Sequence, residues 1–142
     1  MCADSFRKID RIVVDTNVFV SAIVAPRSIP RQAVDQALDN GVLLFSAATM
    51  AELEEVLRRP KFDRYVSREE RAIFLSQLRA PAEFVPIIQL VRECCDPKDD
   101  KFLEVALNGR ADLIITGDAD LLRMHPWRGV AMVSPANFKA LA

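Results

Sequence analysis

Apolar residues along this chain fall into two kinds of run. Some are short, continuous and β-branched; others recur at helical spacing. Ile12-Val13-Val14 belongs to the first kind and predicts a buried strand over 11–14. Residues 31–40 belong to the second, with Ala33, Val34, Ala37 and Leu38 on one face and Asn40-Gly41 closing the helix. Val42 to Phe45 reads as a second buried strand. Ser46 then caps a helix through about Arg59, which Pro60 ends. Ser67 opens a helix over 68–78, with a Glu pair in its first turn and Pro81 beyond it. Phe84 to Ile88 reads as a strand that Pro86 demotes to an edge. A helix over 97–108 stops at Gly109. A strand over 113–116, a short helix over 119–124, a strand over 130–133 and a helix over 135–141 complete the chain. No element is assigned between Asn17 and Arg31.

Strands therefore alternate with helices, and the strands are continuously apolar. A parallel sheet covered on both faces is the architecture this predicts. The 142 residues are 51% hydrophobic, enough for one domain with a real core and no linker or repeat. The net charge of −1 gives no global basic field, so a nucleic-acid partner would need a local basic patch. No apolar run reaches the roughly 20 residues of a membrane span, and the first ten residues lack the apolar stretch of a signal peptide. Cys2, Cys94 and Cys95 are an odd count without a C-x-x-C pair, against a disulfide framework or zinc knuckle. Cys94-Cys95 is expected to pack as small apolar groups. A reducing cytoplasm fits these features.

The carboxylates change the picture. Asp15 directly follows the first strand, and Asp118 follows Leu113-Ile114-Ile115-Thr116-Gly117. Ligands of open parallel sheets bind outside the carboxyl ends of the strands, where these acids converge if their strands are neighbours. Each also has a simpler reading as a cap or turn residue. Thr16 and Asn17 can orient a carboxylate or cap the next segment, and Gly117 permits a tight turn before Asp118.

In Asp96-Pro97-Lys98-Asp99-Asp100-Lys101-Phe102, Asp96 is the expected N-cap with Pro97 at the first helical position. Capping accounts less well for Asp99. At about 100° per residue, it lies near the centre of the face that Phe102, Leu103 and Ala106 bury. Asp100 lies nearer the edge. On the helix after Ser46, Glu55 projects into solvent, while Glu52 and Glu54 flank the apolar stripe and periodicity does not choose between them. Asp120 is a second ligand, a partner to one, or a cap. Two carboxylates about 4 Å apart repel by about 4 kcal/mol at an effective dielectric of 20. Several in one pocket take up protons or hold a cation, and all-oxygen ligands favour Mg²⁺ or Mn²⁺ over Zn²⁺. His125, the only histidine, is read as structural or exposed.

The ordered set Val14-Asp15-Thr16-Asn17, Ala51-Glu52-Leu53, Asp96 to Phe102 and Thr116-Gly117-Asp118 resembles the PIN-domain family. It is most similar to the branch of toxin components of toxin–antitoxin pairs, the VapC-like ribonucleases. The resemblance runs from about Arg11 to Phe138. It implies a Rossmann-like, three-layer α/β/α sandwich with a central, mainly parallel sheet. It also implies a Mg²⁺- or Mn²⁺-dependent nuclease acting on RNA. Asp15, Glu52, Asp99 and Asp118 match the family's four acids in order, and this match selects Glu52 over Glu54. Asp96 and Asp120 are auxiliaries; Thr16, Asn17 and Thr116 match the polar positions beside the first and fourth acids. Homodimers blocked by a small antitoxin protein are implied as well.

The chemistry expected is metal-assisted phosphodiester hydrolysis, with ions held by Asp15, Asp99 and Asp118 and with Glu52 near. Four acids facing a polyanion need cations nearby. Arg58, Arg59, Lys61 and Arg64 form the densest basic cluster, and Arg27 and Arg31 come next. Two rivals differ in class. A Mg²⁺-binding phosphate-signalling or nucleic-acid-binding module would use the acids without cleavage, but a phosphate receiver would also carry a lysine soon after a late strand, and none closely follows Thr116. An interaction protein would use the acids only as caps.

Overall fold

Five parallel strands form the centre of the molecule: β1 (Asp10–Val14), β2 (Gly41–Phe45), β3 (Glu83–Phe84), β4 (Leu113–Ile115) and β5 (Ala131–Val133), in the order β3-β2-β1-β4-β5. A computed structural model of the chain describes residues 10–141, so Cys2 and nearly all of the stretch read for a leader lie outside them. Among the described residues, no helix is long and apolar enough to cross a membrane.

Successive side chains of a strand point to opposite faces, and here both faces are covered. Ile12, Val14, Leu43, Phe45, Leu113 and Ile115 enter one apolar cluster. Val13, Leu44, Ile114 and Met132 enter the other. The first cluster is covered by α1 (Thr16–Val24), α2 (Ile29–Asn40), α3 (Ala47–Leu57), α4 (Arg68–Arg79) and α7 (Pro135–Ala140). The second is covered by α5 (Asp100–Asn108) and α6 (Ala119–Leu122), with Trp127 and Val130. The three-layer sandwich expected from the alternating runs is the observed architecture.

Four details depart from the sequence reading. Helix α1 occupies a stretch given no element; it buries Val18, Phe19, Ala22 and Ile23, and Phe19 stacks on Phe45 at 5.7 Å between ring centres. The expected helix over 97–108 opens instead as a 3₁₀ turn, Pro97–Asp99. The strand expected over 84–88 is cut to Glu83–Phe84, because Val85 makes its last ladder bond, to the Phe45 carbonyl at 2.8 Å, before Pro86. Gly41 follows α2 as expected but is not a left-handed cap, since its φ is −143° and it already belongs to β2. Crowding explains it: a Cβ there would stand 2.7 Å from the Ile12 side chain and 2.8 Å from the Asp10 carbonyl oxygen.

Candidate active site

Strands β1 and β4 are the central neighbours, and from them the sheet grows outward to β2 on one side and β5 on the other. The acids that end these two strands meet there. The Asp15 amide continues the ladder to the Ile115 carbonyl at 2.9 Å. Its side chain caps α1, with Oδ1 accepting from the Asn17 amide at 3.1 Å. Oδ2 accepts from the Thr116 hydroxyl at 2.8 Å, and the same hydroxyl oxygen accepts from the Asp118 amide at 3.0 Å. Thr116 is fully buried and its amide is tied to Val133 at 2.9 Å. One threonine therefore fixes both strand-end acids relative to each other. Cap and site, which the sequence reading opposed, coexist in Asp15 and also in Asp118, whose Oδ2 reaches the Leu121 amide at 3.4 Å.

Asp99 enters from a different element. Asp96 accepts from the Lys98 amide at 3.0 Å and holds the 3₁₀ turn, and Asp99 closes it. Its carboxyl makes no capping bond to α5. Burial first, then Asp118 as hydrogen-bond partner and as charge, and the charges of Asp15 and Asp96, push Asp99 up to about 7. Asp15 is also raised, chiefly because it is buried; its bonds from Thr116 and Asn17 work against the shift, while the charges of Asp118 and Glu52 add to it.

Glu52 faces this group from α3. The Thr16 hydroxyl donates to Oε1, and Lys101 donates to Oε2 at 2.7 Å. Glu54 turns to Arg79 at 2.9 Å, and Glu55 is exposed and paired with Arg59. Geometry thus separates Glu52 from Glu54 where periodicity does not. Lys101, given no role in the sequence reading, is the cation nearest the acids; its ammonium also donates to the Lys98 carbonyl. A lysine set among aspartates reads from sequence as an ordinary surface pair, so the only signal was its place in the Asp96–Phe102 string.

The other candidates lie further out. Asp120 is ion-paired with Arg123, one turn along, rather than with the acid group. Asn17 contributes its amide to Asp15 and lines the cleft with an exposed side chain. Arg58 is exposed, Arg59 is held by Glu55, Lys61 sits 5.2 Å from the Phe62 ring centre, and Arg64 sits 5.5 Å from that of Tyr65. Arg31 pairs with Asp35. His125 is structural, its Nδ1 accepting from the Met132 amide at 2.9 Å. Only Cys94 packs with the apolar core; Cys95 is exposed, contrary to expectation, because it sits in an irregular loop. Gly117 has no left-handed backbone, and a Cβ there would meet nothing within 4 Å. It borders a cleft of about 300 Å³ that opens onto Asp15, Asn17, Ser21 and Asp118.

The donor set suits a hard divalent cation. Asp15, Asp99 and Asp118 present carboxylate oxygens only, and burial with mutual repulsion raises Asp15 and Asp99, a need that a bound cation would meet. Among the described residues, however, no three His, Cys, Asp or Glu side chains already form a metal cage. Asp15 is drawn to Thr116, and Glu52 to Thr16 and Lys101.

Known proteins resemble this chain in sequence or in fold. An uncharacterized protein of Methanocaldococcus jannaschii is 30% identical over 117 residues, covering 81% of this chain and 75% of that protein. The crystal structure of PAE2754 from Pyrobaculum aerophilum superposes with a TM-score of 0.61 at 14% identity, over 94% of this chain and 89% of that one. VapBC2 from Rickettsia felis, solved bound to a DNA fragment from their promoter, gives 0.57 at 12% identity, over 87% and 98%. At these identities the two structures attest the fold. The sequence model of the PIN domain matches residues 11–120, a stretch holding Asp15, Glu52, Asp99 and Asp118, and the chain accordingly belongs to the PIN-domain family.

Proposed function

We propose that this protein is a Mg²⁺- or Mn²⁺-dependent endoribonuclease of the cytoplasm, the toxin of a toxin–antitoxin pair. The observation that carries the reading is the convergence of Asp15 and Asp118, tied through one Thr116 hydroxyl, at the ends of neighbouring strands where the parallel sheet changes direction. Asp15, Asp99 and Asp118 would hold the divalent ion, with Glu52 near. Bound there, the ion would supply acidification of a water and neutralisation of charge at the scissile phosphate.

The chain's own residues prepare for that chemistry. Thr116 and the Asn17 amide aim Asp15, and Thr16 and Lys101 aim Glu52. The cleft beside Gly117 admits the strand. No side-chain nucleophile is required. Arg58, Arg59, Lys61 and Arg64, on and after the end of α3, are proposed to contact phosphates further along the strand. Fold-level likeness to VapBC2 supports a cognate antitoxin partner, and the family resemblance supports a homodimer.

The test is cleavage of mixed single-stranded RNA and DNA with Mn²⁺ and with chelator. Cleavage of RNA by wild type, abolished by chelator and reduced at least roughly a hundredfold in Asp118→Asn, is expected. Metal-dependent stabilisation without cleavage of either nucleic acid would overturn the nuclease reading and favour a binding module.

A further inference from the structure

The acids have a second neighbour that the proposed mechanism does not use. Beside the Pro97–Asp99 turn and the start of α5 lies a groove of about 480 Å³, whose lining includes Arg92, Cys94, Lys98, Asp100, Lys101 and Glu104. Its lining carries three cations, Arg92, Lys98 and Lys101, against the two acids. Asp100 accepts from the Glu93 and Cys94 amides at 3.2 and 2.8 Å, and Glu104 accepts from the Val91 amide at 3.1 Å. Both acids thus pin the segment that forms the groove's outer wall. Arg92 and Lys98 are exposed and have no acidic partner among the described residues. Lys101 belongs to both places: it lines the groove and holds Glu52 at 2.7 Å.

This placement bears on how a polyanion reaches four acids. Coulomb repulsion from the acid group opposes a phosphate backbone, and unpaired cations beside it offset that repulsion where it is strongest. In the basic cluster after α3, Arg59 is neutralised by Glu55, and neither Lys61 nor Arg64 lines the groove or the Gly117 cleft. Asp15 and Asp118 line the cleft, and Lys101, which holds Glu52, lines the groove.

We propose that this groove is a binding site for the phosphodiester backbone of a nucleic-acid strand, gripped by Arg92 and Lys98 and delivered past Lys101 to the acids. The proposal rests on the nuclease reading for its purpose but not for its test.

Binding is measured by fluorescence anisotropy with labelled single-stranded RNA, about 12 nucleotides long, and with the DNA of the same sequence. Asp118→Asn serves as background so that the strand survives. Adding Arg92→Gln and Lys98→Gln should weaken binding roughly tenfold near 0.1 M salt and flatten the slope of log K against log salt by about 1.4. The charge-matched pair Arg110→Gln and Lys139→Gln, outside the groove, should leave both within about twofold. In the otherwise wild-type protein the groove pair should raise KM and leave kcat within about threefold, as loss of uniform binding does. Circular dichroism melting checks that each variant folds. If wild type cleaves RNA and the groove pair binds and cleaves unchanged, the groove assignment falls and the nuclease reading stands. If wild type cleaves nothing while the groove pair loses binding, the groove stands and the nuclease reading falls. Absence of binding to either strand overturns the groove outright. RNA against DNA affinity identifies which backbone it serves.

Discussion

Thr116 is a small residue on which two acids depend. Replacing it with valine keeps the shape but removes the donor to Asp15 and the acceptor for the Asp118 amide. Thr116→Val should cost about 1–3 kcal/mol in urea unfolding, because a buried carboxylate and an amide lose their partner. It should also lower cleavage roughly 10- to 100-fold, the range expected for a residue that orients a ligand; serine should restore most of both. Asp99 sets the pH behaviour. Its folded pKa, pushed up to about 7, lies above the unfolded value near 3.8, so the native state binds more protons than the unfolded state across that interval. Its stabilising contribution is therefore complete below the unfolded value and lost as pH rises through about 7. Melting of metal-free protein should fall over this window, and Asp99→Asn should flatten the fall; an unchanged profile would discard Asp99 as its source. Asp99 was legible only in part: helical spacing put it on the face that Phe102, Leu103 and Ala106 bury, whereas it stands half-buried in the 3₁₀ turn before α5. Lys101 was not, because nothing in a sequence distinguishes a lysine held by a distant glutamate from one in solvent.

Among the elements, α1 shows why a pattern can be read too lightly. Thr16–Val24 is rich in β-branched residues, which weaken helix propensity. Burial against α2 and α3 overrides that preference, and the cap that starts the helix is the catalytic candidate Asp15 itself. The strand ends and the helices after Ser46 and Ser67 were legible because capping residues and prolines mark them locally. The geometry of the α3–α4 connection was not. Arg71, 3% exposed, donates to the carbonyls of Leu57 and Arg59 at 2.8 and 3.2 Å and pairs with Asp63. A buried guanidinium at the start of a helix has no sequence signature, since it reads as one more surface charge. Arg71→Leu should lower stability by about 2–4 kcal/mol, as several charge-assisted bonds to buried carbonyls go at once. Faster amide exchange confined to residues 58–67 would accompany it.

For the whole molecule, the proposed reading sets metal and proton in competition for one site. Mn²⁺ should raise the melting temperature more at about pH 8 than at about pH 5, because at the lower pH the Asp99 proton must first be displaced. Equal shifts at both would place the ion elsewhere. The same strand order that joins these acids separates them along the chain, with Thr116 lying 101 residues beyond Asp15. On a ribosome Asp15 emerges well before β4, the neighbour that β1 needs. A growing polypeptide thus holds no assembled centre until β4 and Asp118 have followed. For a protein whose proposed action is to cut RNA, this order of assembly spares the message while it is still being read.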